Sequence, residues 1–384
     1  MSLFNKSSVT LVTIFSSFLF FVSWYDLTWA QIKNIELTWD KIIWVAQDIN
    51  IDQAGLVQVM NTFESSKSFN EKQQEIFDQL ILYIVASRKT GELIPRSIDE
   101  MKEKTFVGST LVLEDILATN ATYTRYRISY NSNGLSISGI MNIPAWDWPF
   151  PLVILNHGYI DPAVYTVGRG LKREQDYLAR NGYAVLHTDY RNHGLSDSSA
   201  DLNNNYYFRS YFYGTDSINA INAVNNRWDP RIDTTNVAMM GHSMGWWVTM
   251  HSILARPDLI DAAVLYAPVH TRERENFDRW RREDLSSNEL QVLENNIWNI
   301  SLDESFAPYS PASYLDEISI PLQYYHGTND KDVPYERSVE SVNSLKKTNQ
   351  NIELITYEGE QHEFWFRWND FMAWVVTFLD KELR

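Results

Sequence analysis

A nucleophile, a carboxylate able to steer a base, and the base itself occur in a telling order: Ser243, then Asp330, then His362. Ser243 stands at the centre of Gly241-His242-Ser243-Met244-Gly245, a Gly-x-Ser-x-Gly run. A serine hydroxyl is a weak nucleophile until a base takes its proton. Imidazole titrates near neutrality and can be that base. A carboxylate can fix the imidazole tautomer and stabilise its cation. Such a set suits acyl transfer through a covalent intermediate. Each residue alone has a plainer account. Ser243 could be a helix N-cap, Asp330 a loop carboxylate with Asp332 as its rival, and His362 a solvated loop histidine. Three strand ends in the right order argue against all three plain accounts holding together.

The elements that must position these residues can be read around them. Asn236-Val237-Ala238-Met239-Met240 suits a buried parallel strand, and a helix can follow Gly245. A strand that turns sharply into a helix holds the serine in a strained conformation with its hydroxyl exposed. Two glycines flank it because a β-carbon would clash in so tight a turn. Leu322-Gln323-Tyr324-Tyr325 is a strand that leads into His326-Gly327-Thr328-Asn329-Asp330. Ile352-Glu353-Leu354-Ile355-Thr356-Tyr357 is the next strand and leads into the segment carrying His362.

Upstream, residues 122–129 and 135–143 alternate around Asn131-Ser132-Asn133-Gly134, which predicts a hairpin. Pro151-Leu152-Val153-Ile154-Leu155, Tyr183-Ala184-Val185-Leu186 and Ala262-Ala263-Val264-Leu265-Tyr266 read as buried strands, with a helix over residues 172–180. Strand and helix alternate. The expected fold is therefore α/β, a doubly wound, mostly parallel sheet.

Residues 1–30 look like an export signal. Lys6 supplies the positive start, residues 9–24 are mostly apolar, and Thr28-Trp29-Ala30 is an acceptable cleavage site. The apolar run is short for a membrane span of about 20 residues, so cleavage is favoured over an uncleaved anchor. The expected location is periplasmic or extracellular. Residues 31–105 read as a helical segment. Its clearest helix starts at Asn70 and carries Phe77, Leu80, Ile81 and Ile84 on one face. Residues 106–384 read as the catalytic domain. Within it, residues 269–320 form an insertion, charged at Arg272, Glu273, Arg274, Glu275, Arg279, Arg281 and Arg282. Its charge suits a solvated surface excursion, and its place at the carboxyl edge of the sheet suits a lid or pocket wall equally well.

The net charge of −16 comes with no basic stripe, which argues against nucleic acid as a partner. The chain has no cysteine, hence no disulfide. No His-Glu-x-x-His or comparable ligand spacing occurs, and no cofactor is expected.

The motifs together resemble the catalytic domain of the prolyl oligopeptidase group of α/β-hydrolases, with its dienelactone-hydrolase-like and esterase relatives. The matching runs are His157-Gly158-Tyr159, Asp189-Tyr190-Arg191-x-His193-Gly194-x-Ser196, the Ser243 pentapeptide, His326-Gly327-x-x-Asp330-x-x-Val333-Pro334 and the His362 loop. The resemblance covers roughly residues 120–384. It implies that the backbone N–H groups of Met244 and Tyr159 form an oxyanion hole. His157 and Arg191 would support loops rather than react. The group's large peptidases carry a β-propeller. Residues 31–105 are too few for its four-stranded blades, which counts against propeller gating.

A second departure concerns tryptophan. Trp246 and Trp247 follow the Ser243 pentapeptide, where relatives carry small residues. Trp146 and Trp148 flank Asp147 where Gly-Asp-Gly-Pro would make an ordinary turn. Glycine makes up 15 of 384 residues, or 3.9%, beside 14 tryptophans. A typical share of glycine is about 7%. The two types together reach 29 of 384, or 7.6%. One account is a gene in which UGA encodes glycine and has been translated as tryptophan. The other is an aromatic-rich protein. UGG at all four codons would exclude the first.

The resulting expectation is an exported serine hydrolase acting through Ser243, His362 and Asp330. It would be a prolyl-oligopeptidase-like peptidase or an esterase acting on a short peptide or small ester. A non-catalytic protein on the same fold would be expected to have lost part of this set, and the chain keeps all of it.

Overall fold

The computed structural model describes residues 97–146, 149–199, 209–280, 282, 306–349 and 351–384. The proposed export signal and the helix starting at Asn70 lie outside the described residues, as do Trp148 and much of the insertion. Of the residues expected to be helical at 31–105, the described part contains α1 (Ile98–Glu103), capped by the Ser97 hydroxyl, which accepts the Glu100 N–H at 3.0 Å. Ile98 and Met101 of α1 are fully buried in the hydrophobic clusters that flank the sheet.

Nine strands form one sheet in the order β1-β2-β3-β5-β4-β6-β7-β8-β9. β1 (Val112–Thr119), β2 (Tyr123–Ser132) and β3 (Leu135–Pro144) run antiparallel to their neighbours. The β2–β3 hairpin turns on Asn133 and Gly134, whose φ angles are +48° and +94°. Those signs suit the twist of a two-residue hairpin, and Asn-Gly is the pair that adopts them most readily. The turn is tighter than the four residues 131–134 suggest, because Ser132 already pairs with Leu135.

β4 (Phe150–Asn156), β5 (Ala184–Thr188), β6 (Ile232–His242), β7 (Ala262–Tyr266), β8 (Leu322–Gly327) and β9 (Ile352–Tyr357) are parallel. The buried-run pattern is explained by helices on both faces. Leu152, Ile154 and Met239 pack toward α3 (Arg209–Arg227) and α4 (Met244–Ala255), through Ile221, Val224, Met250 and Ile253. Val153, Leu155 and Met240, one residue out of phase, pack toward α2 (Lys172–Arg180) and α7 (Trp368–Leu383), through Leu178, Phe371 and Val375. Both layers are apolar because successive strand side chains face opposite ways. Each such side chain contributes roughly 1.5–3 kcal/mol when fully buried.

The insertion contributes α5 (Glu273–Trp280) and two 3₁₀ turns, Ala307–Tyr309 and Pro311–Glu317. α6 (Tyr335–Leu345) connects β8 to β9.

Candidate active site

Ser243 sits between the end of β6 and the start of α4 with φ +53° and ψ −120°. A non-glycine residue held there stores on the order of 1–3 kcal/mol of strain. The surroundings enforce it. The Ser243 N–H donates to the Tyr266 carbonyl at 3.2 Å. A β-carbon on Gly245 would lie 1.9 Å from the Asn156 carbonyl oxygen, so α4 crosses β4 at backbone contact. Ser243 is half-buried, and its Cβ lies within 3.1 Å of where a β-carbon on Gly158 would stand. The loop after β4 therefore faces the serine directly.

Asp330 follows β8 and is buried. Its Oδ1 accepts the N–H groups of Asp332 and Val333, each at 2.9 Å. Its Oδ2 accepts from His362 Nδ1 at 2.7 Å and from His326 Nε2 at 3.1 Å. Burial pushes the carboxyl group up, but the hydrogen bonds from the two imidazoles outweigh it and hold Asp330 well below the usual carboxylate range. The rival Asp332 is exposed, and His362 bonds to Asp330 instead.

His362 follows β9. Burial disfavours its cation, yet the hydrogen bond and charge of Asp330 prevail and raise it above its ordinary value. With Nδ1–H donated to Asp330, Nε2 keeps its lone pair. The His362 carbonyl accepts from His242 Nε2 at 3.2 Å, and the two rings lie 4.7 Å apart. His242 directly precedes Ser243, so this contact ties the histidine loop to the serine turn. Burial and the nearby His362 keep His242 neutral.

The loops after β8 and β9 meet because residue 327 has no side chain. A β-carbon on Gly327 would stand 2.2 Å from the Glu360 carbonyl oxygen. Asn329 N–H donates to that same oxygen at 2.9 Å.

Met244 is the first residue of α4, so its N–H has no intrahelical acceptor. Tyr159 follows Gly158 on the facing loop, with its side chain half exposed beneath the Arg209 guanidinium, 5.2 Å from the ring centroid. His157 is fully buried, its Nδ1 within 2.7 Å of the Gly158 carbonyl, its ring stacked on Tyr190 at 4.4 Å. Burial, with His193 nearby, lowers its pKa to about 3. Arg191 is buried and pairs through two nitrogens with Asp216, at 3.0 and 2.7 Å. Both side chains brace loops.

Sequence reasoning gave no role to His326, Arg173 or Glu360. His326 was visible in the His326-Gly327 run. A second hydrogen bond to an acid four residues on was not. Asp330, Asp332 and His362 present ligand atoms within 4.8 Å of one another. Both Asp330 oxygens are already engaged by N–H donors, so the set is better suited to orienting the His362 ring than to holding a cation.

The tryptophans behave unequally. Trp246 is fully buried, and its indole N–H donates to the Tyr324 hydroxyl at 3.1 Å. Trp247 is half-buried, with its indole nitrogen buried and unpartnered among the described residues. Trp146 is 42% exposed and meets Phe150 edge to face.

The profile of the prolyl oligopeptidase family matches residues 170–383 of the 384-residue chain, more than half of it. The acylamino-acid-releasing enzyme of Rattus norvegicus is 25% identical over 141 residues, which are 35% of this chain and 18% of that enzyme. The chain thus matches less than a fifth of that relative's length. The acylaminoacyl peptidase of Pyrococcus horikoshii superposes with a TM-score of 0.53 at 19% identity, covering 68% of this chain and 42% of the other. Acetyl xylan esterase 1 of Thermoanaerobacterium sp. superposes with a TM-score of 0.53 at 15% identity, covering 74% of this chain and 91% of the other. At such identities the superpositions show a shared fold. The family match spans the strand ends that carry Ser243, Asp330 and His362, and on it the chain belongs to the prolyl oligopeptidase family, as a serine hydrolase with an α/β-hydrolase fold.

Proposed function

We propose that Ser243, His362 and Asp330 are the catalytic triad and that the enzyme cleaves short peptides. The observation that carries the triad is the 2.7 Å hydrogen bond from His362 Nδ1 to a buried Asp330, with the His362 loop tied through His242 to a serine held at φ +53°. Ser243 Oγ attacks the substrate carbonyl while His362 Nε2 takes its proton. The tetrahedral oxyanion sits between the N–H groups of Met244 and Tyr159. His362 then protonates the leaving group, and an acyl-enzyme remains. Water, activated by His362, releases the acid and regenerates Ser243. Losing one oxyanion donor typically costs about 3 kcal/mol of transition-state stabilisation.

Peptide cleavage is proposed from family membership. Parallel panels of aminoacyl and prolyl anilides and of short-chain aryl esters test it. Anilide turnover that vanishes in Ser243→Ala supports a peptidase; turnover of esters alone makes the enzyme an esterase. Fluorophosphonate labelling should be lost with Ser243→Ala, and labelling that persists at another serine would overturn the triad.

Residues 269–320 are proposed as the wall of the substrate pocket. In their described part, Arg279 of α5 donates to the backbone carbonyls of Asp332 and Lys331, at 2.8 and 2.9 Å. Residues 1–30 are proposed as a cleaved export signal and residues 31–105 as a segment preceding the catalytic domain. N-terminal sequencing of the secreted enzyme should start at Gln31; a start at Met1 in a membrane fraction would make the segment an anchor.

A further inference from the structure

A catalytic histidine must keep its place against its partners to within about 0.5 Å. The His362 loop lies between two strongly held ends. Glu360 is buried, and its carboxylate accepts the N–H of Trp365 at 2.9 Å and the N–H of Arg367. On the loop's other side, Arg173 donates from two nitrogens to two successive carbonyls, Glu363 at 2.7 Å and Phe364 at 3.4 Å. Its guanidinium also packs over the rings of Trp365 and Trp368, 5.4 and 4.9 Å from their centroids. Between these anchors Phe364 takes φ +47° with its ring fully buried. A phenylalanine adopts that backbone only when its surroundings impose it.

Arg173 lies in the first turn of α2, and that turn also braces the facing side of the site. Gln175 Nε2 donates to the carbonyls of Gly168 and Gly170, at 3.2 and 2.9 Å. Those residues end the loop that carries His157, Gly158 and Tyr159. One helical turn therefore holds the backbone of both loops that flank the serine.

We propose that Arg173 is a positioning residue, which fixes the distance of His362 from Ser243 and Asp330 by clamping the carbonyls of Glu363 and Phe364. The proposal rests on the triad reading above. It also explains the residue type. A guanidinium presents two donors in a rigid fork and a flat face for the indoles, and an ammonium offers neither.

The test is the steady-state and pH behaviour of Arg173→Met, Arg173→Lys and, as a control on the same helix, Arg180→Met, with thermal melts for each. A misplaced base should lower kcat by on the order of 10²-fold in Arg173→Met, with KM nearly unchanged. In Arg173→Lys, which keeps the positive charge, the acid limb of kcat/KM should move to lower pH, because a displaced His362 loses part of the Asp330 contact that raises it. Arg173→Lys should recover part of the rate, and Arg180→Met should match the parent. A folded Arg173→Met with parental kcat and acid limb would overturn the proposal. If that variant does not fold, Arg173→Lys decides by the same limb: a shift supports the clamp, and parental values refute it. Ser243→Ala separates the two levels. A dead Ser243→Ala beside a parental Arg173→Met refutes the clamp alone. An active Ser243→Ala refutes the triad and the clamp with it.

Discussion

One carboxylate oxygen, Oδ2 of Asp330, receives both His362 Nδ1 at 2.7 Å and His326 Nε2 at 3.1 Å. His326 is itself fixed from behind, its Nδ1 lying 2.6 Å from the Ser338 hydroxyl. A carboxylate only accepts, so His326 donates through Nε2, and its Nδ1 accepts a hydrogen bond from the Ser338 hydroxyl. Ser338 thus donates to His326, and the last two links, from His326 and from His362, converge on Asp330. Asp330→Asn keeps the shape and reverses the last link, because an amide nitrogen can meet His362 Nδ1 only in the wrong tautomer. The expected result is a fall in kcat on the order of 10⁴-fold, with the fold and KM nearly intact. Circular dichroism and steady-state kinetics check this, and a loss below tenfold would remove Asp330 from the triad.

The same pair sets the pH response. His362 must be neutral to take the serine proton, and Asp330 raises it above its ordinary value of 6.5. The acid limb of kcat/KM should therefore lie above pH 6.5. In Asp330→Asn it should move to lower pH, since burial then acts without the opposing charge. The sign for stability is opposite. A raised folded pKa favours the protonated folded state, so this contribution is complete below the unfolded pKa and fades as pH rises through the folded one. Activity should thus gain from alkali where this stabilising contribution is lost.

The parallel strands and the serine turn were legible because their signals are local. A buried run such as Val153-Ile154-Leu155 and a glycine bracket around Ser243 have the same meaning in any surroundings. The helix over 172–180 and the last strand over 352–357 agree with the observed elements for that reason. What the sequence concealed is tertiary. β1 carries Glu114, Asp115, Ile116 and Leu117 with almost every position exposed, so it shows no burial period; it is held by pairing with β2 and by Leu113 packing on the core. Arg173 looks like any helical surface arginine, and Glu360 like any loop acid. Their partners lie about 190 positions away for Arg173 and in a backbone turn for Glu360, and no spacing announces either.

Buried neutral histidines should make the fold acid-sensitive. His251 is fully buried on α4, and its Nδ1 lies 2.9 Å from the Trp247 carbonyl. Burial lowers its pKa to about 4. The unfolded chain binds this proton first, so the stability it contributes is present above pH 6.5 and is lost as pH falls toward 4. His251→Gln retains a donor for that carbonyl and removes the titration. Urea unfolding at pH 7, 6 and 5 should show a shallower decline in the variant, by up to about 1.4 kcal/mol per pH unit. Parallel slopes would show that His251 does not titrate in this range.

Trp228 offers a test of the tryptophan excess. It follows α3 with φ +48°, its N–H donating to the Val224 carbonyl at 3.3 Å, and its side chain is 80% exposed. This is the position after a helix where glycine is favoured, since a β-carbon in the left-handed region costs roughly 1–2 kcal/mol. Trp228→Gly should raise the urea midpoint by a corresponding amount, with m unchanged. The packing at Trp246 predicts the opposite sign. Removing a fully buried indole and its bond to Tyr324 leaves a cavity that costs about 3–5 kcal/mol. Gain at 228 with loss at 246 would make Trp246 a native part of the core. Gain at both would mean that the helix after Ser243 packs better against β4 without indoles, as glycine encoded by UGA would allow.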